Sequence, residues 1–142
     1  MIEIKHGSIF DSTADILVCP VNCVGVMGKG LALEFKRRYR DMYLVYRETC
    51  EQGMLQPGDY SVWNNKIGLA VTKRDWKNPS LLRWVDLCLY SIAVTTRSRH
   101  HSSIAIPQLG CGCGGLDWAD VWPLYEKHLG AATANVEVWI HD

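Results

Sequence analysis

No stretch of the sequence stays apolar for the about eighteen residues that a helix needs to cross a bilayer. Met1-Ile-Glu-Ile-Lys5 also lacks the basic start, apolar stretch and small-residue cleavage site of a secretory signal. These absences predict a soluble cytoplasmic protein without a membrane partner. Neither sign of charge is in excess: fifteen Lys and Arg stand against fifteen Asp and Glu. No global field therefore draws in nucleic acid, and any such contact must be local. CxxC pairs and Cys/His clusters with metal-ligand spacing are missing, so no metal is expected. Six cysteines are present, but Cys19-x3-Cys23 falls at a strand end and Cys111-x-Cys113 in a glycine loop, which predicts reduced thiols. No Gly-x4-Gly-Lys-Ser/Thr loop occurs, which excludes Walker-type phosphate binding. Repeats and low-complexity linkers are absent too. The 142 residues, 48% apolar and 21% charged, are the size of one domain over 1–142 with one sizeable core.

What is present alternates between strand and helix signals. Ile2-Glu-Ile-Lys5 alternates as a short strand, Gly7-Ser8-Ile9-Phe10 forms a turn, and the apolar run Asp15-Ile-Leu-Val-Cys-Pro-Val21 suits a strand buried on both faces. Leu31, Phe35 and Tyr39 fall on one face of a helix from about Gly30 to Tyr39. A second helix follows from about Met42 to Glu51, stopped by Gly53. Lys36-Arg37-Arg38 with Arg40 reads as a solvated helix end whose cations suit the macrodipole. After the turn Gln56-Pro-Gly-Asp59, the strands Tyr60–Trp63 and Lys66–Val71 are joined by Asn64-Asn65, a hairpin turn pair. Ser80 is placed to cap a long helix with Leu81, Val85, Cys88 and Ile92 on one face, ending near Arg97. Ser103–Ile106 is a short buried strand, and Asp117 caps a helix carrying Trp118, Trp122, Tyr125 and Leu129 on one side. Pro123 is expected to kink that helix or shift its start. Asn135–Ile140 is the last strand. The order predicts an α/β fold, a mixed sheet between helical layers.

Ligands in such sheets bind beyond the carboxyl ends of the strands. Two glycine-rich segments leave buried strands there. Val21-Asn-Cys-Val-Gly-Val-Met-Gly-Lys-Gly-Leu-Ala32 runs into a helix, and Gly28 and Gly30 let the backbone approach an anion beside unpaired helix N–H groups. Pro107-Gln-Leu-Gly-Cys-Gly-Cys-Gly-Gly-Leu116 also runs into a helix and offers a second set of backbone donors. Two such loops facing each other suit a diphosphate.

Three segments carry a resemblance: Asp15 through Phe35 with its Val-Gly-Val-Met-Gly-Lys-Gly core, Val71-Thr-Lys-Arg-Asp-Trp-Lys-Asn-Pro-Ser80, and Ile106-Pro-x-Leu-Gly-Cys-Gly-x-Gly-Gly-Leu-x-Trp118. Together, in this order and over nearly the whole chain, they resemble the macrodomains. Within that family they are most similar to the DarG antitoxin type, related to the human terminal ADP-ribose glycohydrolase class. The resemblance implies a three-layer α/β/α macrodomain that binds ADP-ribose or an ADP-ribosylated substrate and uses no cofactor. It further implies hydrolysis of ADP-ribose from thymidine in single-stranded DNA, with two roles equally open: an antitoxin partnered by an ADP-ribosyltransferase toxin, or viral or mobile-element counter-defence. Two other activities stay open: a reader of ADP-ribose without turnover, and an ADP-ribose 1″-phosphate phosphatase.

Carried over by position, the resemblance places Asn22 at the distal ribose and gives Lys73, together with Asn22, the catalytic role. Gly28, Lys29, Gly30 and Leu31 would flank the diphosphate from one side. Pro107, Leu109, Gly110, Cys111, Gly112, Cys113, Gly114, Gly115 and Leu116 would flank it from the other. Ser8 and Ile9 would meet the adenine. A desolvated lysine amine could attack C1″ and form a Schiff-base-type intermediate, or its charge could act on the leaving group. Three positions depart from the family pattern. Ser8 replaces a common Asp, a neutral acceptor for a charged one. Cys19 replaces a common Asn, and Gly114 stands where the human class has an aspartate, whereas the DarG type is Gly-Gly at this point like the present chain. Trp76 reads equally as a stacking platform and as an anchor for the lid.

Overall fold

The computed structural model describes residues 2–141. Six strands, β1 (Ile2–His6), β2 (Ile16–Val21), β3 (Tyr60–Trp63), β4 (Ile67–Val71), β5 (Ser103–Pro107) and β6 (Asn135–Ile140), form one sheet in the order β1-β6-β5-β2-β4-β3. β3 alone runs antiparallel, joined to β4 by the three residues Asn64, Asn65 and Lys66, so β4 begins at Ile67 rather than at Lys66 as the sequence predicts. Asn64 and Asn65 lie in the left-handed region, with φ of 51° and 50°, and the Lys66 N–H closes the turn by donating to the Trp63 carbonyl at 3.0 Å. The helices are α1 (Gly30–Arg38), α2 (Arg40–Glu51), α3 (Leu82–Ser98) and α4 (Trp118–Leu129), with a short 3-10 turn at Ile9–Asp11.

Period-two alternation on the central strands sorts the core into two layers. Ile16 and Val18 of β2, Ile104 and Ile106 of β5, and Val136 and Val138 of β6 pack with Val85, Leu89 and Ile92 of α3 and Val121, Tyr125 and Leu129 of α4. Leu17, Cys19 and Val21 point the other way, onto Phe35 of α1 and Met42 and Tyr46 of α2. The sheet is therefore sandwiched, as the sequence predicts. Full burial of each large aliphatic side chain contributes roughly 1.5–3 kcal/mol.

Three local expectations are corrected. The second helix begins at Arg40 rather than Met42, because the break after α1 is the single residue Tyr39 (φ −131°, ψ 67°). Ser80 is no helix cap: Leu81 holds that position without a side-chain hydrogen bond, and Ser80 is buried one residue earlier. Pro123 lies inside α4 without moving its start, which Asp117 fixes by accepting from the Ala119 N–H at 3.0 Å. The donor that Pro123 lacks would have served the carbonyl of Ala119, an exposed residue that solvent can reach. The basic helix end is solvated as expected, its cations lying over aromatic rings: Lys36 over Tyr43 at 4.4 Å and Arg38 over Phe10 at 4.2 Å.

Candidate functional site

β2, β4, β5 and β6 run parallel and end on the same edge of the sheet, where the segments that follow them enclose a cleft of about 540 Å³. The first glycine loop forms one wall and the second the opposite wall. A lid formed by residues 72–80 lies between them, and Trp139 and His141 close the far end. Among the described residues no Asp or Glu lines the cleft, whereas Lys29 and Lys73 do. A protein of zero formal charge thus presents a cationic, carboxylate-free interior suited to an anion.

The first loop is held by Asn22, which is buried at the end of β2. Its Oδ1 accepts from the N–H groups of Val24 (3.0 Å) and Val26 (3.4 Å), and its Nδ2 donates to the Val26 carbonyl at 2.9 Å. The Tyr46 hydroxyl, arriving from α2, stands 2.8 Å from both the Asn22 carbonyl and Oδ1 and shares its proton between them. Burial pushes the Tyr46 phenol well above its ordinary range, so it stays a neutral donor. Asn22 lines the cleft, but most of its hydrogen-bonding capacity shapes the loop. One Nδ2 proton is left over.

Beyond this bolt the loop is open. Lys29 occupies the cap position of α1 without a side-chain cap, and α1 has no acidic residue in its first turn. The N–H groups of Gly30, Leu31 and Ala32 therefore have no partner among the described residues at the positive end of the helix, and all three residues line the cleft. Gly30 needs its φ of 56° to make this entry, and nothing lies within 4 Å of where a Cβ would stand.

The second loop starts from a second tyrosine bolt. The Tyr125 hydroxyl of α4 accepts from the Leu109 N–H at 2.9 Å and donates to the Pro107 carbonyl. Here the following helix start is closed by Asp117, with Asp120 in the first turn. The donors lie in the turn itself: the amides of Gly112, Cys113 and Gly114 have no partner among the described residues, and all three residues line the cleft. Gly114 is required by packing, since a Cβ there would stand 2.4 Å from the Gly110 carbonyl oxygen and 2.6 Å from Ser80 Oγ. That position has no room for the aspartate of the human class.

Lys73 joins the lid to the second loop. Its Nζ donates to the carbonyls of Cys113 (2.9 Å) and Trp76 (3.3 Å). Its own carbonyl accepts from Cys23 Sγ, and Arg74 accepts from the Cys23 N–H at 3.2 Å, tying the lid to the first loop as well. All six cysteines carry free thiols. Burial raises Cys111 to about 11 and Cys88 to about 12, so neither is a ready nucleophile.

The cleft brings together Asn22, Gly28, Lys29, Gly30, Leu31, Lys73, Pro107, Gly110, Gly112, Cys113 and Gly114. Six other expected contacts do not line it. Ser8 caps the 3-10 turn by accepting from the Phe10 N–H, and Ile9 is buried in the core against the α1 and α2 layer. Leu109 is fully buried, Cys111 turns its thiol to the Leu109 carbonyl, Leu116 packs on the core, and Gly115 turns the chain with a φ of 77°. Sequence reading missed Thr72, Ser80, Gln108, Trp139 and His141 as lining residues. Trp139 reaches the site because β6 pairs beside β5 with Trp139 opposite Pro107, a non-local register.

The family described as Macro domain matches residues 18–125. The chain is 40% identical over 128 residues to the DNA ADP-ribosyl glycohydrolase of Mycobacterium tuberculosis, covering 85% of this chain and 36% of that protein. In structure it is similar to the macrodomain of Thermus aquaticus DarG, with a TM-score of 0.90, 36% identity and coverage of 100% of this chain and 98% of that one. It is also similar to Thermosipho africanus DarTG, solved in complex with ADP-ribose, with a TM-score of 0.88, 33% identity and coverage of 94% and 40%. The chain spans about two-fifths of the length of the curated DNA ADP-ribosyl glycohydrolases it matches.

Proposed function

The chain belongs to the macrodomain family, and from that premise we propose that its cleft binds ADP-ribose and hydrolyses the bond linking it to thymidine in single-stranded DNA. One observation carries the reading: two sets of unpaired amides face a carboxylate-free cleft from opposite walls, and the Lys73 amine sits where the lid meets the second wall. The diphosphate would take the α1 amides on one side and those of residues 112–114 on the other. The remaining Nδ2 proton of Asn22 would reach a distal ribose hydroxyl.

Lys73 could act in two ways. As a fixed charge, it would favour departure of the base with the bonding electron pair. As a nucleophile, the free amine would attack C1″ while the bond to the base breaks and the base leaves with a proton. Opening of the ring to an imine and a 4″-hydroxyl would follow, and water would then release ADP-ribose and restore the amine. The second route requires Nζ to leave both carbonyls that hold it. An ADP-ribosyltransferase toxin, as the enzyme that loads the DNA, is the partner this activity would answer.

The test is hydrolysis of ADP-ribosylated single-stranded DNA beside ADP-ribosylated protein. Lys73→Ala is expected to lose at least 100-fold in turnover and to keep the affinity for free ADP-ribose, read by calorimetry. Borohydride trapping of a lysine adduct separates the covalent route from the electrostatic one. A reader without turnover is the second reading, favoured by the engagement of the Lys73 amine with two main-chain carbonyls. Wild-type binding with no release of ADP-ribose establishes it. Phosphatase activity on ADP-ribose 1″-phosphate that survives Lys73→Ala would displace both.

A further inference from the structure

We propose that the lid together with the first turn of α3 is a track for the single strand on which the modified nucleotide sits, formed by Arg74, Trp76 and Lys77 of the lid and Arg83 and Trp84 of α3; this rests on the reading that the cleft takes ADP-ribose attached to nucleic acid. Trp76 lines the cleft and is 52% exposed, so much of its indole at the cleft edge is open to solvent. Lys77 Nζ lies 5.4 Å from the Trp76 ring centre, while the guanidinium groups of Arg74 and Arg83 lie 5.9 and 5.8 Å from that of Trp84.

None of these three cations has a carboxylate partner among the described residues. Of the acids close to them in sequence, Asp75 accepts from the Lys77 N–H at 3.0 Å, closing a turn of the lid, and Asp86 pairs with Lys127 and His128. Like charges gathered on one ring repel each other until an anion joins them, and the phosphates of a strand are such anions. An exposed indole beside cations is the combination that holds unpaired bases by stacking and their backbone by charge. The helix-end cluster of Lys36, Arg38 and Arg40 is equally basic but lies on rings that include the buried Tyr43, where no base can stack. The lid has both the free ring and the cleft edge.

Binding of a labelled twelve-residue oligothymidine, followed by anisotropy across salt concentrations, tests this on the whole chain. The triple variant Arg74→Ala/Lys77→Ala/Arg83→Ala is expected to bind about 10- to 100-fold more weakly at 50 mM salt and to lower the slope of log K against log salt by about 2. Its affinity for free ADP-ribose should be unchanged, which also reports that it is folded. Trp76→Ala is expected to lose about tenfold at any salt. Oligothymidine affinity and salt slope equal to wild type in the triple variant overturn the track. Preferential binding of an acidic peptide through the same residues overturns it in favour of a protein partner. Salt-dependent, variant-sensitive oligothymidine binding without hydrolysis leaves the track standing and removes the proposed activity. Hydrolysis of modified DNA with an unchanged KM in the triple variant does the reverse.

Discussion

The two glycine loops are alike in sequence and opposite in construction. Each follows a parallel strand, each is fastened at its root by a buried tyrosine hydroxyl from the helical layer on its own side of the sheet, and each leads into a helix. At that helix they part. α1 starts at Lys29 with no side-chain cap and no acid, leaving its amides to a ligand, whereas α4 starts at Asp117, which takes the amide of Ala119 for itself. Glycine richness therefore marks where backbone can approach a ligand. The residue in the cap position decides whether the helix end behind it is free to hold one.

The comparison can be broken from either side. The largest effect on stability is expected at the closed loop. Gly114→Ala sets a methyl group against the Gly110 carbonyl and Ser80, and should cost about 1–3 kcal/mol by denaturant unfolding, with weaker ADP-ribose binding. Converting the open loop to the closed kind is the sharper test. Lys29→Asp would cap α1 and add about 1 kcal/mol of stability, while its carboxylate competes for the phosphate site and weakens ADP-ribose binding at least tenfold by calorimetry. The reciprocal change, Asp117→Ala, should lose about 1 kcal/mol from uncapping α4. It should leave ADP-ribose affinity within twofold, because the donors of that wall belong to residues 112–114. Weakened binding in Asp117→Ala comparable to that in Lys29→Asp would show that the two helix ends act alike.

Much of this frame was legible in sequence because it is local. Ile16 and Val18 against Leu17, Cys19 and Val21 encode both faces of β2 without help from the rest of the chain, and Asn64-Asn65 specifies its own turn. The glycines that follow buried strands lie in the two segments that wall the cleft. What stayed hidden depends on contacts distant in sequence. Ser80 has the residue type of a cap, yet its N–H donates to the Gly114 carbonyl and its side chain is buried beneath the second loop. Trp139 and His141 follow a plain strand signal, and only the pairing of β6 with β5 brings them to the cleft. Ser8 was read through the family pattern as an adenine contact, but here the hydroxyl is engaged with its own backbone two residues on. Asn22 showed its residue type and hid its partner, since nothing local announces a tyrosine twenty-four positions away.

The tyrosine bolts have a thermodynamic consequence for whatever enters the cleft. Tyr46 and Tyr125 fix the loop roots from inside the two cores, so the walls are set before a ligand arrives and little chain disorder remains to be lost on binding. Tyr46→Phe, which keeps the ring and removes the hydroxyl, should move that ordering step from folding to binding: the same ligand would bind with a more unfavourable entropy and a slower association, though no atom that touches it had changed.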